Sequence, residues 1–134
     1  MRTTALSANP TRRNADAGFD YTIENVGSVT NVRLKGSLDV RCVSTFTRDF
    51  NARRSAGMRQ VVFDCGALDR VDHAGVSAIV TLFLRSRRMH GNVKIARLLG
   101  QPRDVFRLLR LDRVFDIYPE FEAARGSFAA QATS

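Results

Sequence analysis

Cysteine and lysine are both scarce in this chain, and long apolar runs are missing altogether. Two cysteines occur in 134 residues, Cys42 and Cys65, and neither belongs to a C-x-x-C pair or to a Cys/His pattern with metal-ligand spacing. No metal site and no disulfide framework is therefore expected, and both thiols are expected to be free in a reducing compartment. No stretch reaches the roughly 18 apolar residues of a membrane span, and the opening M-R-T-T-A-L-S-A-N-P lacks the apolar core of a secretory signal. A cytoplasmic protein without direct membrane insertion follows as the expectation. Catalytic signatures are missing too: there is no G-x-S-x-G elbow, no Walker loop and no G-x-G-x-x-G. The two histidines, His73 and His90, stand a helix apart and cannot share a metal. Neither an enzyme nor a cofactor is expected.

Lys35 and Lys94 are the only lysines, so arginine carries almost all of the positive side of a formal net charge of +8. A basic surface can serve nucleic acid or anionic lipid. Here the arginines are scattered, and the one dense run, Arg85, Arg87 and Arg88, falls where a helix ends and where cations complement the helix dipole. No nucleic-acid partner is expected.

What is present is the material of one globular domain, with 44% hydrophobic and 25% charged residues. Residues 1–18 are polar and aperiodic and read as a flexible tail. From Phe19 the pattern becomes regular. Phe19, Tyr21, Ile23 and Val26 alternate with polar residues, Gly27-Ser28 interrupts, and V-T-N-V-R-L-K-G resumes, which predicts two strands joined by a turn. Val43, Phe46, Phe50 and Ala56 predict a helix that Gly57 stops. The short run Val61–Cys65 predicts an internal strand. Asp72 is a good N-cap for a helix over 72–90 with Val76, Ile79, Val80, Phe83 and Leu84 on one stripe, and Gly91 is its expected C-cap. A strand over Val93–Leu98, a helix opened by Gln101-Pro102, a last short strand V-F-D-I-Y and a helix around Pro119–Arg125 complete the order. The fold class is α/β: a mixed, mainly parallel sheet of about four to five strands with four interleaved helices. The domain is expected over residues 19–126, with a second flexible tail over 127–134.

Three aspartates fall at predicted strand ends or helix starts. Asp39 closes the second strand, Asp64 the third, and Asp72 caps the second helix, so all three could converge on one rim of a parallel sheet. A general acid/base pair is one reading, but aspartate has a sufficient local reason at each cap or turn, and capping is preferred. The segment D-H-A-G, Asp72 to Gly75, carries the most information. A helix N-terminus presents free N–H groups and a positive dipole end, and Gly75 allows another backbone to come close. His73 is an unusual choice at that end and reads as a neutral surface side chain making contacts.

At this point the chain resembles the STAS domain family, the fold of sulfate-transporter tails and anti-sigma factor antagonists. The matching pieces are G-S-L-D (Gly36 to Asp39), V-V-F-D-C-G-A-L-D-R-V-D-H-A-G (Val61 to Gly75), H-G-N-V-K-I (His90 to Ile95) and P-R-D-V-F-R-L-L-R-L-D-R-V-F-D-I-Y (Pro102 to Tyr118). The resemblance implies a monomer or weak dimer that regulates by binding an anti-sigma factor of the serine-kinase type, through Asp39, Asp72, His73, Ala74, Gly75 and Ser77. In such proteins the kinase phosphorylates a serine or threonine just after the aspartate that opens the second helix, and this ends binding. Here that position is His73 and the next is Ala74, so no phosphorylation is expected; Ser77, one turn on, is a weak substitute better suited to close packing. The alternative implied by the same resemblance is the small STAS subunit of an ABC-type lipid transporter, docked on its ATPase. A redox-controlled contact at Cys42 and Cys65 is a secondary option.

Overall fold

The computed structural model describes residues 5–7, 18–54 and 58–132. Strands β1 (Ala5–Ser7), β2 (Phe19–Val26) and β3 (Val29–Leu38) are followed by helix α1 (Val43–Arg53), strand β4 (Gln60–Val71), helix α2 (His73–Arg88), strand β5 (Asn92–Ala96), helix α3 (Gly100–Leu108), a 3-10 turn at Leu111–Arg113, strand β6 (Ile117–Tyr118) and helix α4 (Phe121–Ala132). The strands form one sheet in sequence order, with β1–β2 and β2–β3 antiparallel and the remaining neighbours parallel. This is the mixed, mainly parallel architecture that the alternation of elements predicts. The extra strand comes from the segment read as a tail: Ala5–Ser7 pairs with β2, Leu6 opposite Ile23. Residues 1–4 and 8–17 lie outside the described residues, as does the predicted end of the first helix at Ala56 and Gly57.

The period of two along each strand sorts its side chains between the two faces. On one face, Tyr21, Val32, Leu34, Phe63 and Ile95 are buried under Phe46 and Phe50 of α1, Ile79 and Leu82 of α2, and Phe106 of α3. Tyr21 meets Phe46 edge-on at 4.9 Å between ring centroids, and its hydroxyl donates to the Asp49 carboxylate at 2.7 Å. On the other face, α4 lays Ala124 and Phe128 over Val29, Val62 and Ala96.

Two expectations are corrected at the ends of elements. The C-terminal tail expected from residue 127 is instead the second half of α4, because Phe121, Ala124 and Phe128 recur at helical spacing and Phe128 is buried. The left-handed residue that ends α2 is His90 (φ 64°), not Gly91. The His90 N–H donates to the Arg87 carbonyl at 3.1 Å and the Gly91 N–H to that of Ser86 at 2.8 Å, the double closure of a Schellman motif. Gly91 is needed for a different reason, since a Cβ there would sit 2.3 Å from the Arg59 carbonyl oxygen.

The second face holds one charge with no exposure at all. Lys94, in the middle of β5, donates from Nζ to the Ser127 hydroxyl at 2.7 Å and lies 4.6 Å above the Phe128 ring and 3.8 Å from the Asp116 carboxylate. A buried ammonium is tolerated only with such partners, and α4 supplies two of them, Ser127 and Phe128. We therefore expect Phe128→Ala to cost about 3 kcal/mol in urea unfolding, the usual scale for removing a buried ring; a loss below about 0.5 kcal/mol would show α4 to be an appendage.

Candidate functional site

Parallel pairing of β3 with β4 places Leu38 beside Val71, so the residues that follow each strand emerge side by side. Asp72 joins them. Its Oδ1 accepts the Gly75 N–H at 2.8 Å, the capping bond of α2, and its Oδ2 accepts the Val40 N–H at 3.0 Å from the loop after β3. The Asp72 N–H in turn donates to the Leu38 carbonyl at 3.4 Å. A Cβ on Gly75 would lie 2.1 Å from the Leu38 carbonyl oxygen, so the close backbone approach that glycine allows here is to the end of β3.

Around this clamp the structure brings Asp39, Asp72, His73, Ala74, Gly75 and Ser77 together. His73 and Ser77 are exposed one helical turn apart on α2, Ala74 is half-buried, and Val40 stands 71% exposed on the facing loop. The Asp39 carboxylate accepts the Arg41 guanidinium at 2.8 Å and the Arg41 N–H at 2.9 Å, and the guanidinium holds its carboxyl below the usual range. Both side chains face water, so the pair orients the loop more than it stabilises the fold. A depression of about 270 Å³ lined by Ser37, Asp39, Arg41, Arg70, Val71 and Asp72 separates the loop from the strand ends.

Asp64 does not belong to this rim. Its strand, β4, runs on to Val71, because it carries two extra residues where its pairing with β3 shifts register, after Arg33 and after Gly36. Asp64 is thereby left in mid-strand on the α4 face, buried, bonded to Arg97 at 3.0 Å and 3.8 Å from Arg33. The converging triad of carboxylates reduces to Asp39 and Asp72. Cys65 is equally far from a functional edge, and burial pushes its thiol up to about 12. Cys42 is also buried, with its thiol raised first by burial. Neither offers an exposed contact. Arg85, Arg87 and Arg88 occupy the last turn of α2, as the helix-end reading requires, and Arg87 lies over the Phe83 ring at 5.6 Å.

Sequence reasoning missed Gln101. Its side-chain amide accepts the Val71 N–H and donates to the Val71 carbonyl, both at 2.9 Å. Since β5 ends at Ala96, the tip of β4 has no strand on that side, and the Gln101 amide takes the place of one. It ties the start of α3 to the residue preceding Asp72.

A mixed sheet with three helices on one face, and a capped helix start pressed on the neighbouring strand end, defines a small α/β domain. The chain belongs to the STAS domain family, whose model matches residues 20–124. It is 23% identical over 107 residues to a Bordetella bronchiseptica protein named as an anti-sigma factor antagonist, BtrV, covering 80% of this chain and 92% of that one. Its fold is similar to that of an anti-sigma factor antagonist from Mycobacterium paratuberculosis (TM-score 0.73, 16% identity, 81% and 92% of the two chains). It is also similar to the Bacillus cell fate determinant SpoIIAA in its phosphorylated form (TM-score 0.62, 18% identity, 80% and 98%). Among the described residues no helix is long and apolar enough to cross a membrane.

Two measurements check this geometry. Gly75→Ala should cost about 1–3 kcal/mol in urea unfolding, because the added methyl meets backbone that cannot move without breaking the Asp72 clamp; a neutral substitution would mean that the contact is loose. The buried thiol gives a pH signature. Folded Cys65 keeps its proton up to about 12, whereas the unfolded thiol ionises near its ordinary 9.0, so stability present below pH 9 is lost as pH rises above it. The melting temperature should fall from pH 8 to pH 10.5, and less steeply in Cys65→Ala.

Proposed function

We propose that this chain is an anti-sigma factor antagonist-like regulator that binds an anti-sigma factor of the serine-kinase type in the cytoplasm, and that serine phosphorylation does not switch it. The docking surface is the loop after β3 together with the first two turns of α2: Asp39, Val40, Asp72, His73, Ala74, Gly75 and Ser77. The observation that carries this reading is the Asp72 clamp, which fixes an exposed apolar residue, Val40, and an exposed helix start, His73, in one rigid unit. A surface ordered before binding loses little entropy when a partner docks. Backbone N–H groups take up both oxygens of the Asp72 carboxylate, and Arg41 takes up that of Asp39.

Position 73 decides the regulation. A phosphate on the first residue of α2 would add nearly two negative charges to the docked surface, and His73 has no hydroxyl to receive it. After incubation with the partner kinase and ATP, the wild type should keep its intact mass and stay bound. His73→Ser should gain one phosphate, since Asp72 and Gly75 preserve the backbone setting, and His73→Asp should weaken the complex tenfold or more without lowering the melting temperature. Stoichiometric phosphate on the wild type, at Ser77 for instance, would return the protein to ordinary partner switching.

A further inference from the structure

Further along the same rim, past the carboxyl ends of β5 and β6, lies a cleft of about 450 Å³, within the range of about 300–1,000 Å³ typical of ligand pockets. Leu99, Phe106, Ile117 and Tyr118 form its apolar wall, and Arg97, Arg103 and Arg107 line it beside a single carboxylate, Asp112. Of these three guanidiniums Arg97 serves the fold, since it satisfies buried Asp64, and Arg107 suits the last turn of α3, but Arg103 has no such reason to be there. Arg103 sits in the first turn of α3, where the helix dipole disfavours a cation, and Arg107 follows it by one turn, so the two repel each other across the same helix face. Arg103 approaches only its own neighbour Asp104, at 3.8 Å with both side chains exposed, and the Arg107 side chain makes no hydrogen bond or ion pair among the described residues. Arg97 is the oriented member: buried Asp64 holds its Nε at 3.0 Å, and its backbone takes a left-handed conformation (φ 52°) with its N–H donated to the Tyr118 carbonyl at 3.0 Å. A non-glycine residue kept in that region by its surroundings is strain that commonly marks a ligand clamp.

We infer that this cleft binds a small organic anion, with a carboxylate or phosphate head bridging Arg103 and Arg107 and an apolar, planar body against Leu99, Ile117 and Tyr118. The head relieves the repulsion along α3, and the body covers Leu99, which is 53% exposed at the lip. This site rests on its own geometry and stands apart from the partner-binding reading. It is nevertheless fastened to that surface, because the Gln101 amide in the first turn of α3 is bonded to Val71, next to Asp72.

The test titrates the full chain with 2-naphthoate, 2-naphthyl phosphate and uncharged 2-naphthylmethanol, followed by calorimetry and by amide chemical shifts. Both anions should bind saturably and shift the amides of residues 97–107 and 117–118, with the alcohol at least tenfold weaker. Either order between the two anions supports the site and names its head group. Arg103→Gln and Arg107→Gln should each weaken binding about tenfold, the usual scale for one charge-assisted hydrogen bond, with the melting temperature unchanged. Equal binding of the alcohol, shifts confined to Asp39–Arg41 and Asp72–Ser77, or unaltered affinity in both arginine variants would overturn the inference.

Discussion

One carboxylate holds the functional edge of this domain in place. Asp72 divides its two oxygens between the Gly75 N–H of its own helix and the Val40 N–H of a loop that is 32 residues away in sequence. The arrangement exists only because Gly75 lacks a Cβ and lets α2 settle onto the Leu38 carbonyl. If α2 moved outward, the cap would survive but the bond to Val40 would be lost, and the loop would be free to take many conformations. The same carboxylate thus starts a helix, ends a strand pair and orders a surface. An aspartate with both oxygens accepting backbone N–H groups is committed to structure, which is why the acid/base reading of this rim finds no support in its geometry.

How much of this could be read from the sequence depends on whether the signal was local. The Asp72 cap, the Gly75 contact and the strand alternation over Phe19–Val26 each rest on a few adjacent residues and are found where they were expected. The length of β4 rests on something no local pattern carries. Past Cys65 the sequence turns polar and glycine-bearing, G-A-L-D-R-V, and reads as a loop, yet pairing with β3 through two register shifts keeps it extended as far as Val71. Asp64 was therefore misplaced at a strand end when it is buried in the middle of one. Gln101 was missed for a similar reason, since a side-chain amide standing in for a strand has no signature apart from the partner it meets. The second half of α4 was legible in the spacing of Ala124 and Phe128, but the helix was expected only as far as Arg125. Ser127 is in fact needed there to receive Lys94.

The two faces of the sheet differ in what they demand of the side chains. Under α1, α2 and α3 the contacts are apolar and aromatic, and shape is the main requirement. Under α4 lie Asp64 and Lys94, each buried and each satisfied by specific polar partners. Such groups contribute less to stability than apolar residues of the same volume would, and they cost heavily if a partner is lost. The consequence is a fold whose α4 face has few acceptable arrangements. Arg97 connects that face to the rim, since it satisfies Asp64 and lines the cleft beside α3.

Position 73 is where the fold and its proposed regulation separate. The side chain of the first residue of α2 is exposed and bears on neither the Asp72 clamp nor the Gly75 contact. The fold therefore places no demand on its chemistry. Helix N-termini favour negative charge, so a phosphate or carboxylate at this position would stabilise α2 rather than unravel it. Under the proposed reading, a charge at residue 73 can act only on the partner, by opposing docking, and not by loosening the domain that carries it. A chain can then exchange the hydroxyl for an imidazole, lose the switch and keep the surface, because the residues that build the surface are not the residue that would be modified.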